Sequence, residues 1–153
     1  MLLLRVTKAL DRARVPYALV GGFAVALHGA VRGTVDVDLV IRLREADFQR
    51  TENVLKALEF QSRLPLTASE VFRFREEYVR NRNLLAWTFI NPSRASEIVD
   101  IALTEDLAGM QVKKIALQNQ IVRVASIADL IRMKQGTGRP QDREDVRALK
   151  RLL

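Results

Sequence analysis

The sequence predicts an α+β (α/β) fold in which a mixed β-sheet is flanked by helices. Amphipathic helical patterns occur at both ends of the chain, and strands alternate with helices in the first third. A series of short apolar strands then occupies the second half before the closing helices. The length of 153 residues suits one domain, so we expect a single domain over residues 1–153.

The first half is predicted to run helix, strand, helix, strand, helix. Apolar side chains recur at helical spacing in the first segment, which ends before Pro16. Alternating β-branched and acidic residues indicate the second strand. Residues 60–80 carry the least regular pattern, with a short helix expected around 68–78. The predicted elements are a helix at 2–14, a strand at 17–21, a helix from 22 that ends near Gly29 or Gly33, a strand at 35–43 and a helix at 45–58.

The second half is predicted to contain four strands and two closing helices. The runs at 84–90 and 97–103 are joined by a short turn, which favours an antiparallel pair. Two more strands flank residues 118–120. Ser126 is suited to cap the next helix, and Pro140 is suited to open the last one.

Composition narrows the classes of function. The absence of cysteine excludes disulfides, thiolate nucleophiles and cysteine-based metal sites. We find neither a signal-peptide pattern nor an apolar run near the ~18 residues of a membrane span, so we expect a cytoplasmic protein without a membrane partner. The net charge of +7 suits a polyanionic partner, although a basic solvated surface explains it equally well.

Two aspartates are spaced for metal binding. Asp36 and Asp38 lie two apart on a predicted strand, so their side chains share a face at about 6.6 Å along the chain. Like charges this close repel, and burying them without a partner is costly. A divalent cation such as Mg²⁺ or Mn²⁺ reverses that penalty and prefers oxygen ligands. The alternative is an edge strand whose aspartates face solvent.

A glycine pair precedes the aspartates. Gly21 and Gly22 join the first strand to a helix, fourteen positions before Asp36 when counted from Gly22. Glycine lets backbone N–H groups approach a ligand closely, and a helix N-terminus favours phosphate. The alternative is a turn that needs glycine only for tight packing. Together, an anion cradle and a cation-binding pair suit a metal-bound triphosphate.

The combined pattern resembles a known signature. The pattern consists of a Gly-Gly pair, thirteen intervening residues and Asp-x-Asp, with Arg32 and Thr34 just before the aspartates. It is similar to the signature of the nucleotidyltransferase superfamily that shares the polymerase-β palm. The stretch is most similar to small AbiEii-type toxin and abortive-infection nucleotidyltransferases. The resemblance implies a minimal nucleotidyltransferase fold with a third carboxylate on a neighbouring strand. Asp100 matches that position, whereas odd spacing places Glu97 on the other face.

The resemblance extends to residues 126–149. It implies that Lys134 reaches the triphosphate, with Arg139 and Asp142 in the adjoining turn. Favourable interactions with helix dipoles explain Lys134 and Asp142 equally well. The site that the resemblance implies has Asp36, Asp38 and Asp100 as catalytic metal ligands, and Gly21, Gly22, Thr34, Lys134 and Arg139 as nucleotide-binding residues, with Arg32 and Asp142 as further candidates.

The function implied is transfer of a nucleoside monophosphate from an NTP such as ATP to an acceptor hydroxyl. Mg²⁺ or Mn²⁺ is the implied cofactor. The acceptor stays open between tRNA or other RNA, a protein hydroxyl and a small molecule, and the toxin resemblance implies a cognate antitoxin protein as partner. Two alternatives remain: a non-catalytic nucleotide-binding or regulatory module of the same fold, and a basic nucleic-acid-binding protein with structural aspartates.

Overall fold

The structure is a computed structural model that describes residues 1–30 and 33–153. Its helices are α1 (Leu2–Arg12), α2 (Gly21–Leu27), α3 (Glu45–Ala57), α4 (Ala68–Arg82), α5 (Ile127–Lys134) and α6 (Pro140–Lys150), with a 3₁₀ turn at Leu107–Gly109. Its strands are β1 (Tyr17–Val20), β2 (Val37–Ile41), β3 (Gln61–Ser62), β4 (Ala86–Asn91), β5 (Arg94–Ala102), β6 (Val112–Leu117) and β7 (Gln120–Ala125). In these described ranges, no helix has the length and apolar character needed to cross a membrane.

The strands form one mixed sheet in the order β3-β4-β5-β2-β1-β7-β6. Strand β1 runs antiparallel to β2 and parallel to β7, and β2 runs parallel to β5. The pairs β4–β5 and β6–β7 are antiparallel hairpins, and the short connection had predicted the first of them. The α+β class with a helix-flanked mixed sheet is therefore confirmed.

One face of the sheet carries the main aromatic core. Trp87 and Phe89 of β4 are fully buried, as is Phe48 of α3. The Phe48 ring stacks on Trp87 at a centroid distance of 5.7 Å and meets Phe72 of α4 edge-on at 5.3 Å. Aromatic pairs in these geometries add to the free energy of burying apolar surface. Helices α3 and α4 thus cover this face.

The opposite face is more open. Ala86, Thr88 and Ile90 alternate with the buried aromatic residues of β4 and are only partly buried. In β2, Val37 and Leu39 are fully buried, whereas Asp38 between them is half-buried. The second face therefore carries small and polar side chains and leaves room for a ligand beside α2 and α5.

The helix that begins within residues 60–80 is longer than predicted. Helix α4 extends to Arg82 instead of ending near residue 78. Its start is fixed by a capping box: the Glu70 backbone N–H donates to the Thr67 hydroxyl, and the Thr67 backbone N–H donates to the Glu70 carboxylate. Ser126 caps α5 as predicted, accepting a hydrogen bond from the Asp129 backbone N–H.

Phe48 tests the aromatic core. Replacing it with alanine removes its ring contacts with both Trp87 and Phe72, and we expect the free energy of unfolding to fall by about 3–5 kcal/mol. Urea denaturation of both proteins measures the difference. The matched control is Phe74→Ala on α4, where the side chain is 44% exposed and the expected change is within about 0.5 kcal/mol. Equal losses in the two variants would contradict the assigned core.

Candidate functional site

The sheet register brings two carboxylates side by side. Asp38 of β2 pairs in parallel register with Asp100 of β5, and on its other flank Asp38 pairs with Val20, the last residue of β1. Side chains at paired positions lie on the same face of a sheet. The carboxyl groups of Asp38 and Asp100 are close enough to share a hydrogen bond. The first two acids of the site therefore come from different strands.

This arrangement makes ionisation of Asp38 unfavourable. Burial, followed by the charges of Asp100 and Asp36, raises the pKa of Asp38 from 3.8 to about 7, while the charge of Lys134 lowers it. The pKa of Asp36 is raised too, mainly by burial and next by Asp100, and the positive charge of Arg63 opposes that shift. Near neutral pH, the pair of Asp38 and Asp100 therefore favours binding of a proton or a cation.

Gly21 makes room for Asp38. Its φ of +71° lies in the left-handed region, and a Cβ built there would meet the Asp38 carboxylate oxygen Oδ2 at 2.1 Å. A Cβ on Gly22 would meet the Thr34 Cβ at 2.8 Å. Tight packing therefore favours glycine at both positions. This is the alternative to phosphate binding that the sequence left open for the turn. Helix α2 begins at Gly21 and has only seven residues.

Thr88 holds Asp100 from the neighbouring strand. Its hydroxyl donates to the Asp100 carboxylate oxygen Oδ1 at 2.5 Å. These two residues are paired in the β4–β5 hairpin, so the bond lies across the strands on the open face. The Arg63 backbone N–H in turn donates to the Thr88 carbonyl at 2.8 Å, which brings that arginine to the edge of the acidic face.

A buried ion-pair cluster lies at the other side of the site. Lys134 donates to Asp145 at 2.9 Å and to Asp142 at 3.3 Å, and its side chain is only 11% exposed. Arg139 also donates to Asp142, at 2.9 Å. Burial acts to raise the pKa of Asp142, but the Thr137 hydroxyl and the charges of Lys134 and Arg139 outweigh it, so the pKa is lowered.

A cavity of about 260 Å³ joins these groups. Part of its wall is apolar and comes from Leu85, Leu130 and Met133. Most of the candidate residues line it, whereas Asp36 and Thr34 do not, and Arg32 lies outside the described residues. The candidates in the lining are Gly21, Gly22, Asp38, Asp100, Lys134, Arg139 and Asp142.

Asp36 differs from its predicted placement. The strand begins at Val37 and not at residue 35, so Asp36 precedes β2 rather than sharing a strand with Asp38. Across residues 1–30 and 33–153, no group of three or more His, Cys, Asp or Glu side chains is arranged to hold a metal ion. Asp36 acts on Asp38 through charge, while Asp100 contacts it directly.

The donor chemistry fits a divalent cation. Asp38 and Asp100 offer carboxylate oxygens at one point, and their mutual repulsion is the feature that a +2 ion removes. Burial, and then the negative charges of Asp100 and Asp36, raise the pKa of Asp38 to about 7, so its ionised form is unfavourable without such an ion. The role of these residues as metal ligands stays a prediction.

Sequence reasoning missed three residues of this site. Thr88 was hidden because its position opposite Asp100 depends on the register of the hairpin. Arg63 falls in the segment without a clear pattern. Asp145 had a usable signal, because a residue three positions after Asp142 on a helix shares its face.

The sheet and the paired acids define a nucleotidyltransferase-type domain. The family model described as nucleotidyltransferase of unknown function (DUF6036) matches residues 2–150, and the chain belongs to that family. The superfamily resemblance is thereby confirmed, and the chain is a nucleotidyltransferase. No curated protein sequence matches the chain significantly.

Three solved structures share the fold. The lincosamide antibiotic adenylyltransferase LnuA, solved with lincomycin bound, has a TM-score of 0.67 at 13% identity, over 99% of this chain and 96% of LnuA. The antibiotic-resistance factor ANT(2'')-Ia has a TM-score of 0.65 at 14% identity, over 97% and 80% of the two chains. An antigenic nucleotidyltransferase-like protein from Paracoccidioides brasiliensis has a TM-score of 0.60 at 19% identity, over 98% and 72%. At these identities the similarity establishes the fold alone.

The raised pKa of Asp38 predicts that replacing this carboxylate increases the free energy of unfolding in a pH-dependent way. Because the folded pKa of about 7 exceeds the unfolded value of 3.8, the folded state binds more protons between these values, and stability falls as pH rises through that window. We therefore expect Asp38→Asn to stabilise the metal-free protein by on the order of 1–3 kcal/mol at pH 8, with little effect at pH 4.

Urea denaturation at the two pH values measures this difference. The matched control is Glu77→Gln, which removes one negative charge from an exposed position of α4 and is expected to have little effect at either pH. If Asp38→Asn and the parent protein lose stability equally between pH 4 and pH 8, the assigned environment of Asp38 is wrong.

Proposed function

We propose that residues 1–153 act as a single domain that transfers a nucleoside monophosphate from an NTP, with ATP as the first candidate, to an acceptor hydroxyl in the cytoplasm. Mg²⁺ or Mn²⁺ is the proposed cofactor. The observation that carries the proposal is the contact between Asp38 and Asp100 beside Gly21 in a family of nucleotidyltransferases. Two adjacent acids in a cavity that also contains Lys134 and Arg139 suit a metal-bound triphosphate.

The proposed ligands of the cation are Asp38 and Asp100, with Asp36 as an additional carboxylate next to the cavity. A bound divalent ion would neutralise charge on the phosphates and make the acceptor hydroxyl more acidic. Thr88 keeps one oxygen of Asp100 engaged and so fixes the orientation of that carboxylate. Lys134 and Arg139 supply positive charge at the cavity wall for the departing pyrophosphate.

The glycine turn has a supporting role in this proposal. Gly21 lets Asp38 lie directly against the end of β1, and Thr34 packs on Gly22. We propose that the backbone of this turn lines the phosphate-binding part of the cavity. Arg32 and Asp142 remain further candidates for contacts to the nucleotide. Chemistry on this domain then depends on positioning and charge stabilisation, with no covalent intermediate on the protein.

The acceptor is proposed at the level of a hydroxyl group. The AbiEii-type resemblance and the net charge of +7 support tRNA or another RNA, together with a toxin–antitoxin role and a cognate antitoxin. The fold shared with LnuA over almost the whole of both chains supports a hydroxyl-bearing small molecule as the other acceptor class. A screen therefore includes total tRNA and a panel of hydroxylated antibiotics.

The first test is transfer of label from α-labelled NTPs in the presence of Mg²⁺ or Mn²⁺. We expect label on an acceptor, its loss on chelation with EDTA, and at least a hundredfold lower rate for Asp38→Asn and Asp100→Asn. Glu97→Gln is the matched control on β5: Glu97 pairs with Arg5 at 2.9 Å, away from the cavity lining, so this variant should be less stable and still active.

Three outcomes separate the proposal from its alternatives. NTP binding without transfer to any acceptor in the screen would indicate a non-catalytic nucleotide-binding module. RNA binding that weakens with salt, does not change with NTP and is unaffected by Asp38→Asn would indicate a basic nucleic-acid-binding protein. Transfer that is unchanged in Asp100→Asn would contradict the assigned carboxylate pair.

Thr88 gives a second test of the same geometry. Thr88→Val keeps the shape of the side chain and removes the hydroxyl that donates to Asp100, so we expect kcat to fall about tenfold. Thr88→Ser keeps the donor and should stay within about threefold of the parent enzyme. Steady-state kinetics of the two variants measure the contrast, and equal losses in both would show that packing, and not the hydrogen bond, matters at this position.

A further inference from the structure

The ion pairs of Lys134 are divided between two carboxylates with different surroundings. Asp142 lines the cavity and also accepts hydrogen bonds from Thr137 and Arg139. Asp145 does not line the cavity, its side chain is only 4% exposed, and it makes the shorter contact with the lysine, at 2.9 Å. Gln141 donates to its second oxygen at 3.1 Å. Asp145 is thus bonded to Lys134 from outside the ligand space.

The ammonium group of Lys134 keeps a donor for a ligand. An ammonium has three N–H donors, and the bonds to Asp142 and Asp145 use two of them. Within the described part of the chain, these two carboxylates are the hydrogen-bond acceptors of Nζ. Because the lysine also lines the cavity, its third donor is the one available to a phosphate oxygen.

We propose that Asp145 is a positioning residue that holds the ammonium group of Lys134 in place for the phosphates of the nucleotide. This inference rests on the proposed function of the site and adds a residue outside its cavity. Burying an ammonium without a partner is costly, so a buried carboxylate behind it keeps the charge in place. Asp142 alone is less suited, because it also bonds to the turn before α6 and itself lines the cavity.

The test is a double-mutant cycle on binding of tripolyphosphate with Mg²⁺, which needs no choice of base. Isothermal titration calorimetry measures the affinity of the parent, Asp145→Asn, Lys134→Met and the double variant. We expect Asp145→Asn to weaken binding about tenfold, and Lys134→Met to weaken it by at least as much. In the Lys134→Met background, Asp145→Asn should cause no further loss, because the proposed effect of Asp145 on the ligand passes through the lysine.

Glu144→Gln is the matched control, since it removes a neighbouring exposed carboxylate of α6 and should leave affinity unchanged. Unchanged affinity in Asp145→Asn, or independent losses that add in the double variant, overturns the inference. If Asp145→Asn alone does not fold, the comparison between Lys134→Met and the double variant decides it, because both lack the buried ammonium. There, equal affinity supports the proposal and a further loss contradicts it.

The experiment also separates this inference from the proposed function. A parent protein that binds tripolyphosphate and shows the expected coupling, yet transfers no nucleotide in the labelling assay, retains the role of Asp145 and loses the proposed activity. A parent protein that binds no tripolyphosphate in the presence of Mg²⁺ overturns the role of Asp145 directly, whatever the labelling assay gives.

Discussion

The contact between the carboxyl groups of Asp38 and Asp100 is the constraint on which the rest of the site depends. Burying Asp38 and placing it beside Asp100 opposes folding near neutral pH, as the raised pKa of Asp38 indicates. The parallel pairing of β2 and β5 nevertheless holds them together, because the opposite faces of both strands are fully buried at Val37, Leu39 and Val99. The apolar core therefore stabilises an arrangement that is unfavourable by itself.

Small residues around the acids follow from the same constraint. Gly21 has no side chain at the position that the Asp38 carboxylate occupies. Ala86 and Ala102 line the cavity with small side chains. Thr88 satisfies one oxygen of Asp100 without adding bulk. Larger residues at these positions would fill the cavity. Stability and function therefore make opposite demands on this face, and the aromatic face of the sheet offsets the cost.

Much of the fold could be predicted from the sequence because local patterns determined it. Periodicity located the helices at both ends, and a short turn predicted the β4–β5 hairpin. The strands of the β6–β7 hairpin were predicted without their pairing. The site was only partly accessible, because it depends on register. Spacing alone placed Asp36 and Asp38 on one strand, whereas the strand begins at Val37 and pairs Asp38 with Asp100. Thr88 enters the site only through hairpin pairing, which no local pattern encodes.

The charge layout indicates the form in which a triphosphate can enter. The positive charges of Lys134 and Arg139 are balanced by Asp142 and Asp145 in one cluster. Among the described residues of the cavity lining, this balance leaves the acids of the β2–β5 pair as the net charge, so they repel a free triphosphate when both are ionised. A divalent cation reverses this repulsion, and so the site favours a metal–nucleotide complex over the nucleotide alone. The buried ion-pair cluster around Lys134 then orients the phosphates more than it attracts them.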